Sequence, residues 1–127
     1  MVTGGAVMAA HGLREAADID IFVSQDLFEN CIASGWEVHQ WTKPGREGQQ
    51  WLKRDIFELY DRFWYEGRYY SLQELLREAQ KINGIHFAPL YWLMNFKKSY
   101  GRPKDITDVT LIEDYLKIHP ELIIEPK

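Results

Sequence analysis

The sequence has few of the features that would place a protein in a class at once. It holds a single cysteine, Cys31, so no disulfide can close within the chain. With no secretory leader either, the expected compartment is a reducing cytoplasm. No apolar run reaches the roughly 18 residues a membrane helix needs, so no membrane is expected among its partners. Basic charge is not in excess: 15 Lys and Arg stand against 19 Asp and Glu, for a formal net charge of -4. That balance excludes broad, charge-driven nucleic-acid binding, though it leaves room for a local basic patch. The histidines His11, His39, His86 and His119 show no metal-ligand spacing. Internal repeats and low-complexity tracts are also missing.

What remains is a composition suited to a folded core. Of 127 residues, 46% are hydrophobic and 14% aromatic, enough for one domain without covalent staples. Residues 1–127 therefore read as one unit, with a sheet-forming part over 1–70 and a helical part over 71–127. Gly4-Gly5 opens a short small-residue helix over Ala6 to His11. Ile19, Ile21 and Val23 mark a strand. Ser24 caps a helix over 25–33 whose inward stripe is Leu27, Phe28, Cys31 and Ile32. Residues 37–42 alternate as a strand, and 43–48 compose a turn. Residues 51–60 are expected to form one further strand, and 61–70 an aromatic hairpin or loop. Ser71-Leu72-Gln73-Glu74 matches a capping box, followed by a helix to Ile82 stopped at Gly84. Two more helices are expected over 89–99 and 106–118, the last capped by Asp105 with Ile106, Val109, Ile112, Tyr115 and Leu116 as its apolar face. The fold class is α+β, a small mixed sheet with flanking helices and a helical C-terminal part.

Chemistry concentrates at Asp18-Ile19-Asp20. In a strand, residues two apart share a face, so both carboxylates point the same way while Ile19 and Ile21 anchor the other side. Two close carboxylates repel unless a cation lies between them. Mg²⁺ is commonly held by one or two carboxylates plus substrate phosphates. The alternative is an amphipathic strand with its acidic face in water, but Asp is a poor strand former. Glycines at a strand-to-helix turn let backbone N–H groups approach a phosphate. Gly4-Gly5 and Asp18/Asp20 together describe a triphosphate held by backbone at one end and metal at the other. A third carboxylate would complete a two-metal site. Asp55 and Glu58 lie on opposite faces of a 51–60 strand, so one of them can join, and Asp55 is the expected member. Its other reading is a surface partner for Lys53 or Arg54.

Gly4-Gly5-Ala6, His11-Gly12-Leu13-Arg14 and Asp18-Ile19-Asp20-Ile21 resemble the signature of the DNA polymerase β-like nucleotidyltransferase superfamily. The likeness is to its small stand-alone prokaryotic members, the minimal nucleotidyltransferases and AbiEii-type toxins. Lys97-Lys98-Ser99-Tyr100-Gly101-Arg102-Pro103-Lys104-Asp105-Ile106-Thr107-Asp108 also resembles a segment of those proteins. The resemblance implies a mixed sheet of four or so strands with flanking helices. It implies transfer of a nucleoside monophosphate from an NTP to a hydroxyl of RNA, protein or a small molecule, with Mg²⁺ or Mn²⁺ as cofactor. Asp18, Asp20 and Asp55 would hold the metals and carry catalysis. Gly4 and Gly5 would cradle the triphosphate, and Arg14, Lys98, Arg102 and Lys104 would neutralise its charge. Relatives usually carry a helix and strand before the glycine turn, where this chain has three residues, so an open sheet edge and a partner strand or homodimer are expected.

Two other readings stay open. One is a catalytically weak or inactive member of the same fold, a nucleotide sensor or one half of a toxin–antitoxin pair with a cognate protein partner. The other is a purely structural domain. In that case Arg102 and Lys104 are loop charges, Asp105 and Asp108 are helix-cap acids, and Lys98 complements a helix dipole.

Overall fold

The computed structural model describes residues 1–42 and 46–123. Lys43, Pro44 and Gly45, half of the turn expected over 43–48, lie outside the described residues. In chain order the elements are β1 (Val2–Thr3), α1 (Gly5–Ala10), β2 (Ile19–Phe22), α2 (Gln25–Ala33), β3 (Glu37–Gln40), β4 (Gln50–Arg54), β5 (Phe57–Tyr60), β6 (Arg62–Tyr65), β7 (Arg68–Ser71), α3 (Leu72–Leu76), β8 (Gln80–Ile82), β9 (Ile85–Phe87), α4 (Leu90–Tyr100) and α5 (Pro103–Ile118). A 3₁₀ turn, Pro120–Leu122, follows. The architecture is mixed α+β with a helical C-terminal part. Its main sheet has seven strands in the order β3-β4-β5-β2-β1-β9-β8, more than the four or so expected, and β6 and β7 form a separate ribbon.

The sheet is mixed because β2 runs parallel to β5 and β1 parallel to β9. Alternation along β2 divides its side chains between two layers. Ile21 packs under α2 with Val23, Phe28, Leu52 and Leu59. Phe22, one residue on, packs on the other face with Phe63 and Leu75. A third cluster joins Val7 and Met8 of α1 to Leu90, Leu93 and Met94 of α4 and to Ile112 and Leu116 of α5. The two C-terminal helices thus close over the glycine-led helix, on the side where the acidic residues of β2 emerge.

Several expectations are corrected. Residues 51–60 are not one strand. The chain reverses at Asp55 and Ile56, with Asp55 at φ 54°, so β4 and β5 form a hairpin. The helix after Ser71 keeps its capping box but ends at Leu76. Asn83 (φ 51°) and Gly84 (φ 80°) turn a second hairpin, β8–β9, where a helix end was expected. The Asn-Gly pair suits the left-handed positions of such a turn. α5 begins three residues early, with Arg102 as N-cap and Asp105 inside the first turn. Ile106 is 61% exposed, and Leu27 and Ile32 also face outward. Finally, β1 is not at an open edge, because β2 and β9 flank it. The sheet edges are β3 and β8.

Candidate functional site

The site begins at Gly4. Its backbone, φ 66° and ψ −150°, turns β1 into α1 through a region that residues with a Cβ avoid. Thr3 pairs with Asp20 across β1 and β2, so the turn lies against the Asp20 carboxylate. A Cβ on Gly4 would sit 2.5 Å from Asp20 Oδ2, and one on Gly5 would sit 3.0 Å from Arg14 Nη1 and Nη2. Gly4 is thus favoured by its left-handed backbone and by the Asp20 carboxylate, while at Gly5 a side chain would have to displace the end of Arg14.

Asp20 has a second neighbour. In the parallel β2–β5 ladder its register partner is Glu58. The Tyr60 hydroxyl donates to Glu58 Oε2 at 3.3 Å, and Asp20 Oδ1 is buried with no hydrogen-bond partner. The Asp20 pKa is raised to about 7, with burial the largest cause. The adjoining Glu58 carboxyl adds to that rise through hydrogen bonding and repulsion, Asp18 adds repulsion, and Lys97 opposes it. Burial, then the charges of Asp20 and Glu58, push the Tyr60 phenol well above its ordinary value.

Opposite the acids stands a braced set of cations. Asp108 accepts from Arg14 through both oxygens, at 2.8 and 2.9 Å, and from Lys97 Nζ at 2.8 Å. Asp105, fully buried, accepts from Arg102 Nε at 2.6 Å and lies 3.5 Å from Lys97 Nζ. Burial alone would raise both carboxyls. For Asp105 the bonds and attraction of Arg102 and Lys97 outweigh it, and for Asp108 those of Arg14 and Lys97, so both lie below the usual range. Charge-assisted, partly bidentate bonds of this kind fix the cations in place.

Between the two walls is a cavity of about 560 Å³. Gly4, Gly5, Arg14, Asp18, Asp20, Lys97, Arg102, Lys104 and Asp108 all line it. Of the expected site residues it brings together seven: Gly4, Gly5, Arg14, Asp18, Asp20, Arg102 and Lys104. Two fall elsewhere. Asp55 is exposed on the β4–β5 turn and does not line the cavity. The acid beside Asp20 is Glu58, which also stands outside the cavity lining. Lys98 is exposed and paired with Glu113 at 3.1 Å, while its neighbour Lys97 faces the cavity.

The Lys97 position was readable. Leu90, Leu93, Met94 and Lys97 fall at helical spacing on the buried stripe of α4, so Lys97, not Lys98, shares the inward face. Glu58 carried no comparable signal, because the parallel register that brings it to Asp20 is a tertiary fact.

The donor set fits a hard divalent cation. Carboxylate oxygens suit Mg²⁺ or Mn²⁺, and the buried Asp20 Oδ1 has no partner but a proton that Asp20 and Glu58 can share. No cluster of three or more His, Cys, Asp or Glu side chains forms a metal cage among the described residues. Mg²⁺ usually takes its remaining ligands from water and substrate phosphate.

Comparison of the chain with protein families, with curated proteins and with solved structures gives no match. Among the described residues no helix is long and apolar enough to cross a membrane. Any functional reading therefore rests on the cavity itself.

Proposed function

We propose that the protein is a metal-dependent nucleotidyltransferase that moves a nucleoside monophosphate from an NTP to a hydroxyl acceptor. One observation carries the reading: a glycine turn, the Asp18/Asp20 pair and a braced basic wall line a single cavity of about 560 Å³. A nucleoside triphosphate needs that combination, with backbone and cations for its charge and carboxylates for the metal that accompanies it.

Asp18 and Asp20 would hold the cation, and Glu58, beside Asp20 but outside the cavity lining, would act on it only through Asp20. When bound, Mg²⁺ or Mn²⁺ would supply charge neutralisation at the phosphates and lower the pKa of the acceptor hydroxyl. The chain's own groups do the rest. Gly4 and Gly5 offer close backbone approach to the phosphates. Lys97, Arg102 and Lys104 balance negative charge growing on the departing pyrophosphate. The acceptor oxygen bonds to the α-phosphorus as the bond to pyrophosphate breaks, and the hydroxyl proton passes to a carboxylate of the acid wall. Fixed positioning by the two walls supplies much of the rate.

The test is incubation with each of four α-labelled NTPs, Mg²⁺ or Mn²⁺, and total RNA or protein. Labelled acceptor in the wild type, lost in Asp20→Asn, is the expected result. Equal labelling in both proteins would remove the proposal.

A further inference from the structure

The two ends of the main sheet are built differently. At one end β8 has three residues, with the exposed Lys81 in the middle. A short strand carrying a lysine is a common means of keeping a sheet edge from pairing. At the other end β3 has four residues, Glu37-Val38-His39-Gln40, with no lysine or proline among them. Its register with β4 is unbroken, from Glu37 opposite Lys53 to Gln40 opposite Gln50, so no bulge turns this edge away. Among the described residues no strand pairs with its outer side.

The ladder fixes what that outer side presents. Trp41 N–H donates to Gln49 C=O at 2.9 Å. The odd-numbered residues of β3 therefore bond to β4, and the N–H and C=O groups of Val38 and Gln40 point away from the sheet. Side chains divide between the faces by the same alternation. Val38 lies opposite Leu52, which packs under α2. Val38 is thus on the α2 face, where it is 42% exposed. Glu37 and His39 are on the other face, with His39 Nε2 2.9 Å from Glu37 Oε1.

On this second face the charge alternates from strand to strand. Glu58 of β5 lies opposite Lys53 of β4, and Lys53 lies opposite Glu37 of β3. The row stops at the edge on an acid, so a donor or cation at the next place is favoured. A second β3, antiparallel about a two-fold axis through Val38, supplies it. Glu37 then faces His39 of the second copy, and His39 faces its Glu37. The same axis sets Val38 against Val38. Their outward N–H and C=O groups bond reciprocally, and two exposed apolar side chains cover each other. An axis through Glu37 or His39 instead would set acid against acid or histidine against histidine.

We propose that β3 pairs with β3 of a second copy of this chain, antiparallel about an axis through Val38, joining two seven-stranded sheets into one. This pairing is independent of the nucleotidyltransferase reading.

A four-residue edge makes a contact below the standard interface size, so the dimer is an exchanging one. Sedimentation velocity on the full chain, from about 10 μM to about 1 mM, follows it. The wild-type mass rises from 15.0 kDa toward twice that value. Val38→Pro removes one outward donor from each copy and no bond to β4. Its dimer dissociation constant rises about tenfold or more, while circular dichroism reports an unchanged fold. A second arm does not depend on that variant folding. Glu37→Lys sets a lysine against His39, and His39→Glu sets a glutamate against Glu37, so each protein alone is monomeric. Mixed in equal amounts they dimerise, because the new lysine of one faces the new glutamate of the other and the native Glu37 and His39 face each other. A wild type that stays at 15.0 kDa throughout overturns the proposal. So does a folded Val38→Pro protein that dimerises normally, or a mixture of the two charge variants that stays monomeric.

Discussion

Asp20 and Glu58 stand side by side in the parallel ladder of β2 and β5, two half-buried acids in register. The arrangement has a pH signature. Asp20's folded pKa, about 7, lies above the unfolded carboxyl value of about 3.9. Between those values the folded state binds the extra proton. This group's contribution to stability is therefore fully present below about pH 4 and is lost as the pH rises through about 7. Thermal melts without metal at about pH 5 and about pH 8 check it. The wild type loses stability over that interval, and Asp20→Asn, which cannot ionise, flattens the fall.

Asp105 and Asp108 act in the opposite direction and at lower pH. Their folded pKa values are depressed, so their stabilisation holds above the unfolded value and disappears as the pH falls through the folded one. Asp108→Asn leaves Lys97 only its longer ion pair with Asp105 and loosens Arg14. Losing charge-assisted hydrogen bonds of this kind costs about 1.5–3 kcal/mol. Urea denaturation checks that figure, with Lys98→Ala as reference. Lys98's ion pair to Glu113 is exposed, and its loss changes stability by less than about 1 kcal/mol.

Gly4→Ala tests the turn. Its Cβ meets Asp20 Oδ2 at 2.5 Å in a backbone conformation that L residues rarely adopt. The expected loss is about 1–3 kcal/mol of stability, together with loss of Mg²⁺-dependent nucleotide binding as Asp20 is displaced. Denaturation and calorimetry on one preparation read both.

A paired comparison separates Glu58, beside Asp20 in the ladder, from Asp55 on the β4–β5 turn. Glu58→Gln is expected to weaken Mn²⁺ binding, followed by the paramagnetic signal of the free ion, whereas Asp55→Asn leaves it unchanged. Asn also tolerates the left-handed backbone that Asp55 occupies, so stability stays within about 0.5 kcal/mol.

Local chemistry made parts of this fold legible in the sequence. The Ser71–Glu74 capping box, the Ser24 cap of α2 and the alternation through Ile21 and Phe22 all appear where the residue pattern placed them. The failures have two physical causes. Leu72, Leu75, Leu76, Ala79 and Ile82 fit a helical period, yet the last of them sits in β8, because the Asn83-Gly84 turn and pairing with β9 outweigh a weak propensity. At Asp55 the chain reverses without glycine or proline, so no punctuation marked the turn. Of the seven expected residues that share the cavity, Gly4, Gly5, Asp18 and Asp20 follow from motif spacing, whereas Arg14, Arg102 and Lys104 follow only from the nucleotidyltransferase resemblance. Glu58 follows from neither, since only the pairing of strands far apart in sequence brings it to Asp20.

Arg14 and Asp108 are separated by 94 positions in the chain yet hold each other through two hydrogen bonds. Closing so long a loop is entropically costly and comes after local hairpins and helices have formed. The basic wall is consequently a reporter of complete folding. A partly assembled chain holding its β4–β5 and β6–β7 hairpins would leave these cations dispersed, which would tie capture of the proposed nucleotide to the finished molecule.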